Sequence, residues 1–512
     1  MSPRILAVLL AAALPALAQQ PLSATLSIRA GESGPQVNRQ IFGQFAEHLG
    51  AGIYGGIWVG ENSKIPNTRG YRNDVLQALR DLKVPVIRWP GGCFADEYDW
   101  REGVGPRDKR PVKINTHWGG VTEPNSFGTH EFLDFAELLG AEAYISGNVG
   151  SAPPRELAEW VEYVTSPAGS LASERAANGR KDPWTLPYIG LGNELWGCGG
   201  NMRAEYAADV TRRYSTFIKV PAGVRIRKAA SGPNAEDTHW MEVMMRDAGR
   251  SFNAIGLHYY TITRNWRQKG SATAFDESEY ARTLQQTLRM DDLIARHSAI
   301  MDKYDPQKRV WLAVDEWGTW YDVEPGTNPG FLYQQNTLRD ALVAALNIGI
   351  FTKHAGRVKM ANIAQMVNVL QAMILTKEDR MLLTPTYHVF EMFKAYQDAT
   401  ALPLELKSPW YSSEASNIPA VHASAVRGQD GRLHVGLVNV DPHHSVALSA
   451  ALAGAAPKAV TGRILTAPAI DSHNTFEAPA GVRPAPFTSA ALESGALKVV
   501  LPPRSVVMLD LQ

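Results

Sequence analysis

Two glutamates stand at the ends of two apolar stretches of this sequence. Residues 186–194 read Leu-Pro-Tyr-Ile-Gly-Leu-Gly-Asn-Glu, and residues 310–317 read Val-Trp-Leu-Ala-Val-Asp-Glu-Trp. Apolar runs of this length predict buried parallel strands, and a closed barrel of such strands gathers its reactive groups at the C-terminal rim. Two carboxyl groups brought together there can serve as acid/base and nucleophile in a hydrolysis. Glu194 and Glu316 are therefore the candidate catalytic pair.

Other polar side chains at predicted strand ends are suited to support this pair. Asn193 can donate a hydrogen bond to a sugar hydroxyl beside a reacting carbon, where positive charge develops. Glu194 would need a pKa raised by burial to act as the acid, whereas Arg88 and Tyr260 are groups that can keep Glu316 ionised and oriented. The strand-end positions are Glu47, Arg88, Asn193, Glu194, His258, Tyr260, Glu316 and Gln365.

Three tryptophans close to these strand ends have two possible roles. Trp118, Trp317 and Trp320 could belong to the core, or they could stack on a sugar ring. Their position in loops beside the strand ends favours stacking.

Metal and serine chemistry have little support in the sequence. It contains no His-Glu-x-x-His motif, no Cys-x-x-Cys motif, no acidic calcium loop and no Gly-x-Ser-x-Gly elbow. We therefore expect no metal and no cofactor.

Short apolar runs alternate with helical segments through most of the chain. Eight strand-then-helix units of class α/β predict a (β/α)₈ TIM barrel rather than an open doubly wound sheet, and no phosphate-binding glycine loop follows the first strand. The predicted strands are residues 41–47, 84–89, 143–146, 186–194, 225–230, 254–260, 310–316 and 360–366. The predicted helices are residues 74–83, 127–139, 156–164, 202–218, 240–247, 277–303, 337–351 and 386–396.

Beyond about residue 399 the helical period gives way to short strands separated by Gly, Pro and Asp. They predict an all-β sandwich that an N-terminal strand at residues 24–29 completes. The expected domains are a signal peptide at 1–18, the N-terminal strand segment at 19–40, the catalytic barrel at 41–398 and the jelly-roll-like sandwich at 399–512.

The N-terminus and the charge balance bear on location and partners. Arg4, an apolar run at residues 5–14 and Ala16-Leu17-Ala18 resemble a secretory signal peptide, although a frayed apolar terminus is the alternative. We therefore expect an exported protein, periplasmic or secreted. A net charge of zero without basic tracts argues against nucleic acid and membrane surfaces as partners.

Two cysteines, Cys93 and Cys198, follow candidate active-site strands in glycine-rich loops. Two cysteines in 512 residues do not make a disulfide framework, although an exported protein could pair them. Free thiols lining a pocket are the favoured interpretation.

The sequence resembles the α-L-arabinofuranosidases of glycoside hydrolase family 51 over nearly the whole chain after the N-terminal apolar run. The order of five blocks carries the resemblance, because Asn-Glu alone is shared by many retaining barrel enzymes. These blocks are residues 42–50 (Phe-Gly-Gln-Phe-Ala-Glu-His-Leu-Gly), 88–94 (Arg-Trp-Pro-Gly-Gly-Cys-Phe), 192–194 (Gly-Asn-Glu), 258–260 (His-Tyr-Tyr) and 315–317 (Asp-Glu-Trp).

The resemblance implies a role for each site residue. It implies Glu194 as acid/base and Glu316 as nucleophile, with Arg88 and His258 supporting the carboxylates. The residues implied to contact the arabinofuranosyl ring are Glu47, Asn193, Tyr260 and Gln365, with Trp118 and Trp320 as aromatic walls and Cys93 at a position where some members have Asn. Members are often homo-oligomers, commonly hexamers.

The expected function is therefore a retaining, exo-acting α-L-arabinofuranosidase acting on arabinoxylan, arabinan or their oligosaccharides. Its closest rival is an endo-β-1,4-glucanase or xylanase of the same clan, which would cut polymer chains internally. A carbohydrate-binding protein without turnover is a further alternative, and the presence of both glutamates argues against it.

Overall fold

The computed structural model describes residues 20–512, so the predicted signal peptide lies outside the described residues. The strands, in chain order, are β1 (Leu22–Arg29), β2 (Gly43–Phe45), β3 (Asn67–Thr68), β4 (Tyr71–Arg72), β5 (Val86–Trp89), β6 (Lys113–Asn115), β7 (Val121–Glu123), β8 (Glu142–Gly147), β9 (Tyr188–Leu191), β10 (Arg227–Ala230), β11 (Ala254–Thr261), β12 (Trp311–Thr319), β13 (Val358–Ala364), β14 (Ile374–Lys377), β15 (Arg380–Leu383), β16 (Thr400–Ala401), β17 (Leu404–Lys407), β18 (Trp410–Ser413), β19 (Ser416–Pro419), β20 (Val421–Arg427), β21 (Leu433–Asn439), β22 (Val446–Ala453), β23 (Val460–Leu465), β24 (Ala485–Pro486), β25 (Ala490–Glu493), β26 (Ala496–Leu501) and β27 (Ser505–Leu511).

The helices pack mainly on the outside of the barrel. In chain order they are α1 (Asn73–Leu82), α2 (Thr129–Leu139), α3 (Pro154–Thr165), α4 (Ser170–Ala177), α5 (Ala204–Phe217), α6 (Thr238–Val243), α7 (Glu277–Tyr304), α8 (Leu338–Lys353) and α9 (Pro385–Phe393). Short 3₁₀ turns occupy Arg39–Phe42, Cys93–Glu97, Trp100–Gly103, Arg107–Lys109, Pro329–Phe331 and Lys394–Tyr396, and a π-helical turn spans Met244–Ala248.

Eight parallel strands close into a barrel in the order β2-β5-β8-β9-β10-β11-β12-β13. Neighbours in space are neighbours in sequence, as expected for repeated right-handed strand–helix–strand units. The prediction of a (β/α)₈ barrel is confirmed. The first strand is shorter than predicted, because a 3₁₀ turn at Arg39–Phe42 occupies the start of residues 41–47.

A layer of side chains fills the lower part of the barrel interior. It consists of Val86, Tyr144, Tyr188, Ala229, Ala254, Ala313 and Met360. Because side chains alternate along a strand, the next inward position on β5 is Arg88 and on β12 is Asp315. The interior therefore changes from apolar to charged as the strands approach their C-terminal ends.

Eleven of the remaining strands build the predicted β-sandwich, which is also confirmed, and the other eight pair as β3-β4, β6-β7, β14-β15 and β18-β19. A five-stranded sheet, β17-β1-β22-β26-β25, faces a six-stranded sheet, β16-β20-β21-β27-β23-β24, across an apolar core. The N-terminal strand β1 lies between β17 and β22, where it pairs antiparallel with the former and parallel with the latter. No helix in residues 20–512 has the length and apolar character needed to cross a membrane.

Candidate active site

The two glutamates meet at the C-terminal rim of the barrel. Glu316 lies near the end of β12, and Glu194 lies just beyond the end of β9. One carboxylate oxygen of each, together with a ring nitrogen of His258, lie within 4.8 Å of one another. The side chain of Glu316 is 9% exposed and that of Glu194 is 18% exposed. The rim therefore holds two close carboxyl groups that are largely shielded from water.

A bulge in β12 brings successive acidic residues to the inside of the barrel. Between Gly256 and His258, strand β11 advances two residues, while β12 advances three, from Ala313 to Glu316. An extra residue of this kind bends a strand and re-aims its side chains. Asp315 and Glu316 consequently both contact the buried Arg88, which a regular alternation would not allow.

Donors surround the carboxylate of Glu316. Arg88 Nη1 donates to Glu316 Oε2 at 2.9 Å, and the Tyr260 hydroxyl donates to Oε1 at 2.7 Å. His258 Nδ1 lies 3.3 Å from Oε2. Burial, reinforced by the charge of Glu316, raises the pKa of Tyr260, so its hydroxyl keeps the proton that it donates. Both oxygens of Glu316 are thus held in place by fixed groups.

The environment of Glu194 favours a bound proton. Burial raises the pKa of Glu194, and the negative charge of Glu316 adds to this effect, whereas the hydrogen bond from His258 opposes it. His258 Nδ1 lies 2.9 Å from Glu194 Oε1. Glu194 therefore remains protonated at a higher pH than an ordinary glutamate.

His258 bridges the two glutamates and carries a positive charge. Burial opposes that charge, but Glu316, Asp315 and Glu194 together raise the pKa of His258 to about 10. Its other nitrogen, Nε2, lies 3.4 Å from Asp315 Oδ1. Although burial would raise the pKa of Asp315, His258 and Arg88 hold it below its usual range. The ring therefore stays charged and oriented through neutral pH.

Arg88 connects the Glu316 side of the pocket to Asn193. Its Nη2 donates to Asn193 Oδ1 at 2.6 Å, and its Nε donates to Ser146 Oγ at 3.2 Å. Because the Asn193 carbonyl is occupied by Arg88, the amide NH₂ group of Asn193 is directed away from Arg88, towards Cys198 Sγ at 3.7 Å. A ligand would therefore meet the NH₂ group of Asn193 and not its carbonyl oxygen.

Glu47 forms a second acidic position on the pocket wall. It accepts hydrogen bonds from Trp118 Nε1 at 2.9 Å, Gln365 Nε2 at 3.1 Å and the backbone N–H of Phe94 at 3.2 Å. Burial and the charge of Glu316 nevertheless raise the pKa of Glu47 to about 7. A Cβ at Gly92 would lie 2.8 Å from Glu47 Oε1, so the close approach of this loop depends on glycine.

The structure brings the predicted site residues to one place, with the exception of Trp317. A cavity of about 800 Å³ is lined by Glu47, Cys93, Trp118, Glu194, His258, Tyr260, Glu316 and Trp320. Arg88, Asn193 and Gln365 support this wall through the hydrogen bonds described above. Trp317 does not contribute, because it is fully buried and packs on Phe351 and Phe390 in the core, so the stacking interpretation is wrong for this residue.

Several pocket residues were not identified from the sequence. Tyr144 donates to Asp315 Oδ2 at 2.8 Å, and Trp196 and Trp266 line the cavity. Asp315 and Tyr144 lie on the inward faces of β12 and β8, so strand alternation would have indicated both. Trp266 lies in a loop, where no sequence period applies.

Cys93 and Cys198 form a disulfide bond with a Cα–Cα distance of 5.6 Å, so the prediction of free thiols is wrong. The loops after β5 and β9 end side by side over the rim, although 105 residues separate the two cysteines in sequence. Cys198 Sγ lies 3.8 Å from Glu194 Oε2. Cys93 therefore contributes a disulfide sulfur, not a thiol, to the pocket wall.

Comparison with known proteins matches both parts of the chain. Residues 78–279 match the family model described as alpha-L-arabinofuranosidase 1 domain, and residues 315–505 match the alpha-L-arabinofuranosidase C-terminal domain. An intracellular exo-alpha-L-arabinofuranosidase of Bacteroides ovatus is 52% identical over 492 residues, which cover 96% of each chain.

Solved structures agree with these matches. A GH51 arabinofuranosidase from Xanthomonas axonopodis pv. citri superposes with a TM-score of 0.95 at 60% identity, covering 96% of this chain and all of that one. An alpha-L-arabinofuranosidase from Thermotoga maritima in complex with arabinose superposes with a TM-score of 0.82 at 28% identity, covering 95% and 99% of the two chains.

The expectation of an exported protein is corrected by these comparisons. The Bacteroides ovatus relative, which matches 96% of this chain, is named an intracellular enzyme. The apolar N-terminal run on which the expectation rested lies outside residues 20–512.

Proposed function

This chain belongs to the α-L-arabinofuranosidases of glycoside hydrolase family 51, and from that membership we propose that it is a retaining, exo-acting enzyme. It removes terminal non-reducing α-L-arabinofuranosyl groups from arabinoxylan, arabinan and arabino-oligosaccharides by double displacement. The exo action is supported by the Bacteroides ovatus relative, which is named an exo-alpha-L-arabinofuranosidase.

The observation that carries the retaining mechanism is the closeness of the two glutamates. Their oxygens approach within 4.8 Å. Retaining glycosidases separate the two carboxyl groups by about 5–5.5 Å, whereas inverting enzymes leave about 6.5–9.5 Å to admit a water molecule. The spacing here leaves no room for a water between the pair and supports direct attack on the sugar.

In the first step Glu316 attacks the anomeric carbon while Glu194 donates its proton to the departing glycosidic oxygen. The bond to the leaving group breaks as the ester bond to Glu316 forms. Arg88 and Tyr260 hold the two oxygens of Glu316 in the attacking orientation, and the raised pKa of Glu194 keeps its proton available.

In the second step Glu194, now ionised, takes a proton from water. The resulting hydroxide equivalent attacks the anomeric carbon, which releases arabinose and restores the carboxylate of Glu316. His258, charged and placed between both glutamates, stabilises the negative charge that moves from Glu316 to Glu194 during the cycle.

The arabinofuranosyl ring is held by the remaining wall of the cavity. Glu47, Asn193, Tyr260 and Gln365 supply polar contacts to its hydroxyls. Trp118 and Trp320 enclose it with apolar surface, and the disulfide sulfur of Cys93 takes the place of a hydrogen-bonding side chain.

The first experiment compares the parent with Glu316→Ala on 4-nitrophenyl α-L-arabinofuranoside. We expect activity in the parent and a loss of several orders of magnitude in the variant, because the nucleophile is removed. NMR of the first-formed anomer then tests retention. Inversion would sink the mechanism, and a parent that ignores arabinosides but shortens β-xylan or β-glucan would favour the endo-acting rival.

A further inference from the structure

The loop after β11 carries an exposed tryptophan into the cavity that holds the glutamates. Trp266 lines this cavity, yet 56% of its surface is exposed. An aromatic face left open inside a polar pocket is suited to stacking on a ligand. Trp266 is therefore placed to contact the part of the substrate that lies outside the arabinose pocket.

Trp266 is the outermost of three consecutive aromatic rings that begin at the nucleophile. The Tyr260 hydroxyl donates to Glu316, and the Tyr260 ring packs on Trp320 with centroids 4.8 Å apart. Trp320 in turn packs on Trp266 with centroids 5.1 Å apart and planes at 80°. Because the inner two rings belong to the sugar pocket, Trp266 stands where the leaving group must emerge.

The loop that presents Trp266 is held in a defined shape. Asn265 Oδ1 accepts hydrogen bonds from the N–H groups of Arg267 at 2.9 Å and Gln268 at 3.1 Å, so Trp266 sits at the tip of a closed turn. Gly270 N donates to Asp322 Oδ2 at 3.2 Å, which ties the base of the loop to the segment after β12. A ring fixed in this way loses little conformational entropy when a ligand stacks on it.

Polar groups of both signs lie beside the exposed ring. Arg264 and Arg289 line the same cavity, as do Asn265 and Glu236. Arg289 is 3.4 Å from Glu236, so their charges partly cancel. An aromatic face flanked by amide, guanidinium and carboxylate groups suits the hydroxyls and C–H face of a neutral sugar ring.

We propose that Trp266 is the platform of a leaving-group subsite that binds a neutral sugar ring of the oligosaccharide from which arabinose is released. This inference rests on the proposed function and extends it, because it assigns a residue that favours arabinosyl groups carried on a glycan over those carried on a small alcohol.

The test compares Trp266→Ala with the parent on two kinds of substrate. Methyl α-L-arabinofuranoside offers no ring to stack, whereas arabinosyl-xylotriose and arabinotriose do, and all three have an alcohol leaving group that needs a proton to depart. We expect the ratio of kcat/KM for the better oligosaccharide to kcat/KM for the methyl glycoside to fall about 5- to 20-fold, as loss of one stacking contact implies. The oligosaccharide that shows the loss identifies the ring that the subsite prefers.

Two further variants control the measurement. Trp410→Ala removes a tryptophan that is 60% exposed in β18, outside the residues that line the cavity, and should leave the ratio unchanged. Trp266→Phe keeps an aromatic face and should recover most of the ratio. An unchanged ratio in Trp266→Ala, or equal losses on all substrates, would overturn the proposal.

A binding measurement separates this proposal from the proposed function. If the parent turned over no arabinoside, the function would fail. Calorimetric titration with xylotriose and arabinotriose, compared between the parent and Trp266→Ala, would still test the platform. Weaker binding in the variant supports the subsite, and equal affinity or no binding to the parent refutes it.

Discussion

Glu316 lies within a strand, whereas Glu194 lies in a turn beyond the end of one. The backbone of Glu316 is part of β12, opposite His258 of β11, and its side chain is held by a buried arginine and a tyrosine. Gly192, two residues before Glu194, has a φ of 83°, and Glu194 itself has a φ of 39°. A left-handed backbone at a non-glycine residue costs about 1–3 kcal/mol and needs support from its surroundings.

The support for the Glu194 turn comes from backbone contacts and a crosslink. Gly197 N and Gly199 N both donate to the Glu194 carbonyl, at 2.7 and 3.1 Å, and Leu195 N donates to Ser231 Oγ at 3.2 Å. A Cβ at Gly199 would lie 2.0 Å from the Asn193 carbonyl oxygen, so the turn requires glycine there. The disulfide to Cys93 then anchors this turn to the neighbouring loop.

This difference matches the tasks that we propose for the two residues. A nucleophile must point in one direction and is best held through its side chain by fixed donors. An acid/base must gain and lose a proton, so its side chain should meet few permanent donors while its backbone is held. We expect mutations to separate the two kinds of support.

The largest effect is expected on the side of Glu316. Arg88→Met removes the donor to Glu316 and to Asn193 and leaves two buried carboxylates, Asp315 and Glu316, without their shared guanidinium. We expect kcat/KM to fall about 10³- to 10⁴-fold for every arabinoside, whatever its leaving group. Circular dichroism and a thermal melt should accompany the assay, because breaking a buried ion pair also destabilises the fold. Full activity in Arg88→Met would show that Glu316 needs no guanidinium.

A leaving-group-dependent loss is expected on the side of Glu194. In Glu194→Ala, hydrolysis of methyl α-L-arabinofuranoside should fall about 10²- to 10⁴-fold, since its alkoxide needs a proton to depart. The rate of the first step with a 2,4-dinitrophenyl arabinoside should fall much less, because dinitrophenolate leaves without needing a proton. The measurement is the pre-steady-state burst of dinitrophenolate, with substrate in excess over enzyme. Equal losses on both substrates would remove Glu194 from the role of acid.

The site residues that lie on strands, or directly after one, were predictable from the sequence. Glu316, Arg88 and Tyr260 stand on strands whose apolar pattern is strong, and parallel strands of a barrel all end at one rim. Their convergence follows from the fold class alone. Glu194 was predictable for the same reason, since β9 leads directly to it.

The geometry within the rim was not predictable in the same way. The bulge in β12 depends on pairing with β11, so the inward orientation of both Asp315 and Glu316 has no signature in the sequence. The Cys93–Cys198 pair depends on which loops lie side by side across 105 residues of chain. The outward position of Trp317 follows from alternation along β12 once Glu316 is placed inside the barrel, and that signal was overlooked in favour of the residue type.

An intermediate effect is expected when the crosslink is removed. In Cys93→Ala/Cys198→Ala, the Glu194 turn loses its anchor while Glu316 and its donors keep theirs. We expect a loss of about 10-fold in kcat/KM for the methyl arabinoside and a smaller loss in the dinitrophenyl burst. The free energy of unfolding should fall by about 2–4 kcal/mol, as for other long loops closed by a disulfide.

Treatment of the parent with a reductant should reproduce the double variant, and the variant itself should not respond to the reductant. A loss of the same size on both leaving groups would mean that the disulfide supports the whole pocket and not the Glu194 turn in particular. Thiol titration before and after treatment confirms that reduction has occurred.

The smallest effect is a shift in pH dependence, and it distinguishes Glu194 from Glu47. The pKa of Glu194 is raised by burial, so the acid is present below that pKa and is lost as the pH rises through it. The basic limb of kcat/KM for the methyl arabinoside should therefore have an apparent pKa above about 4.3, the value for an ordinary glutamate.

Glu47, with a pKa raised to about 7, could produce a limb in the same region. If the limb belongs to Glu194, it persists in Glu47→Gln and is absent from the dinitrophenyl burst of Glu194→Ala. A limb that disappears only in Glu47→Gln would assign the titration to Glu47 and to sugar binding. The turn would then hold the Glu194 carboxyl group for a reason other than keeping it protonated.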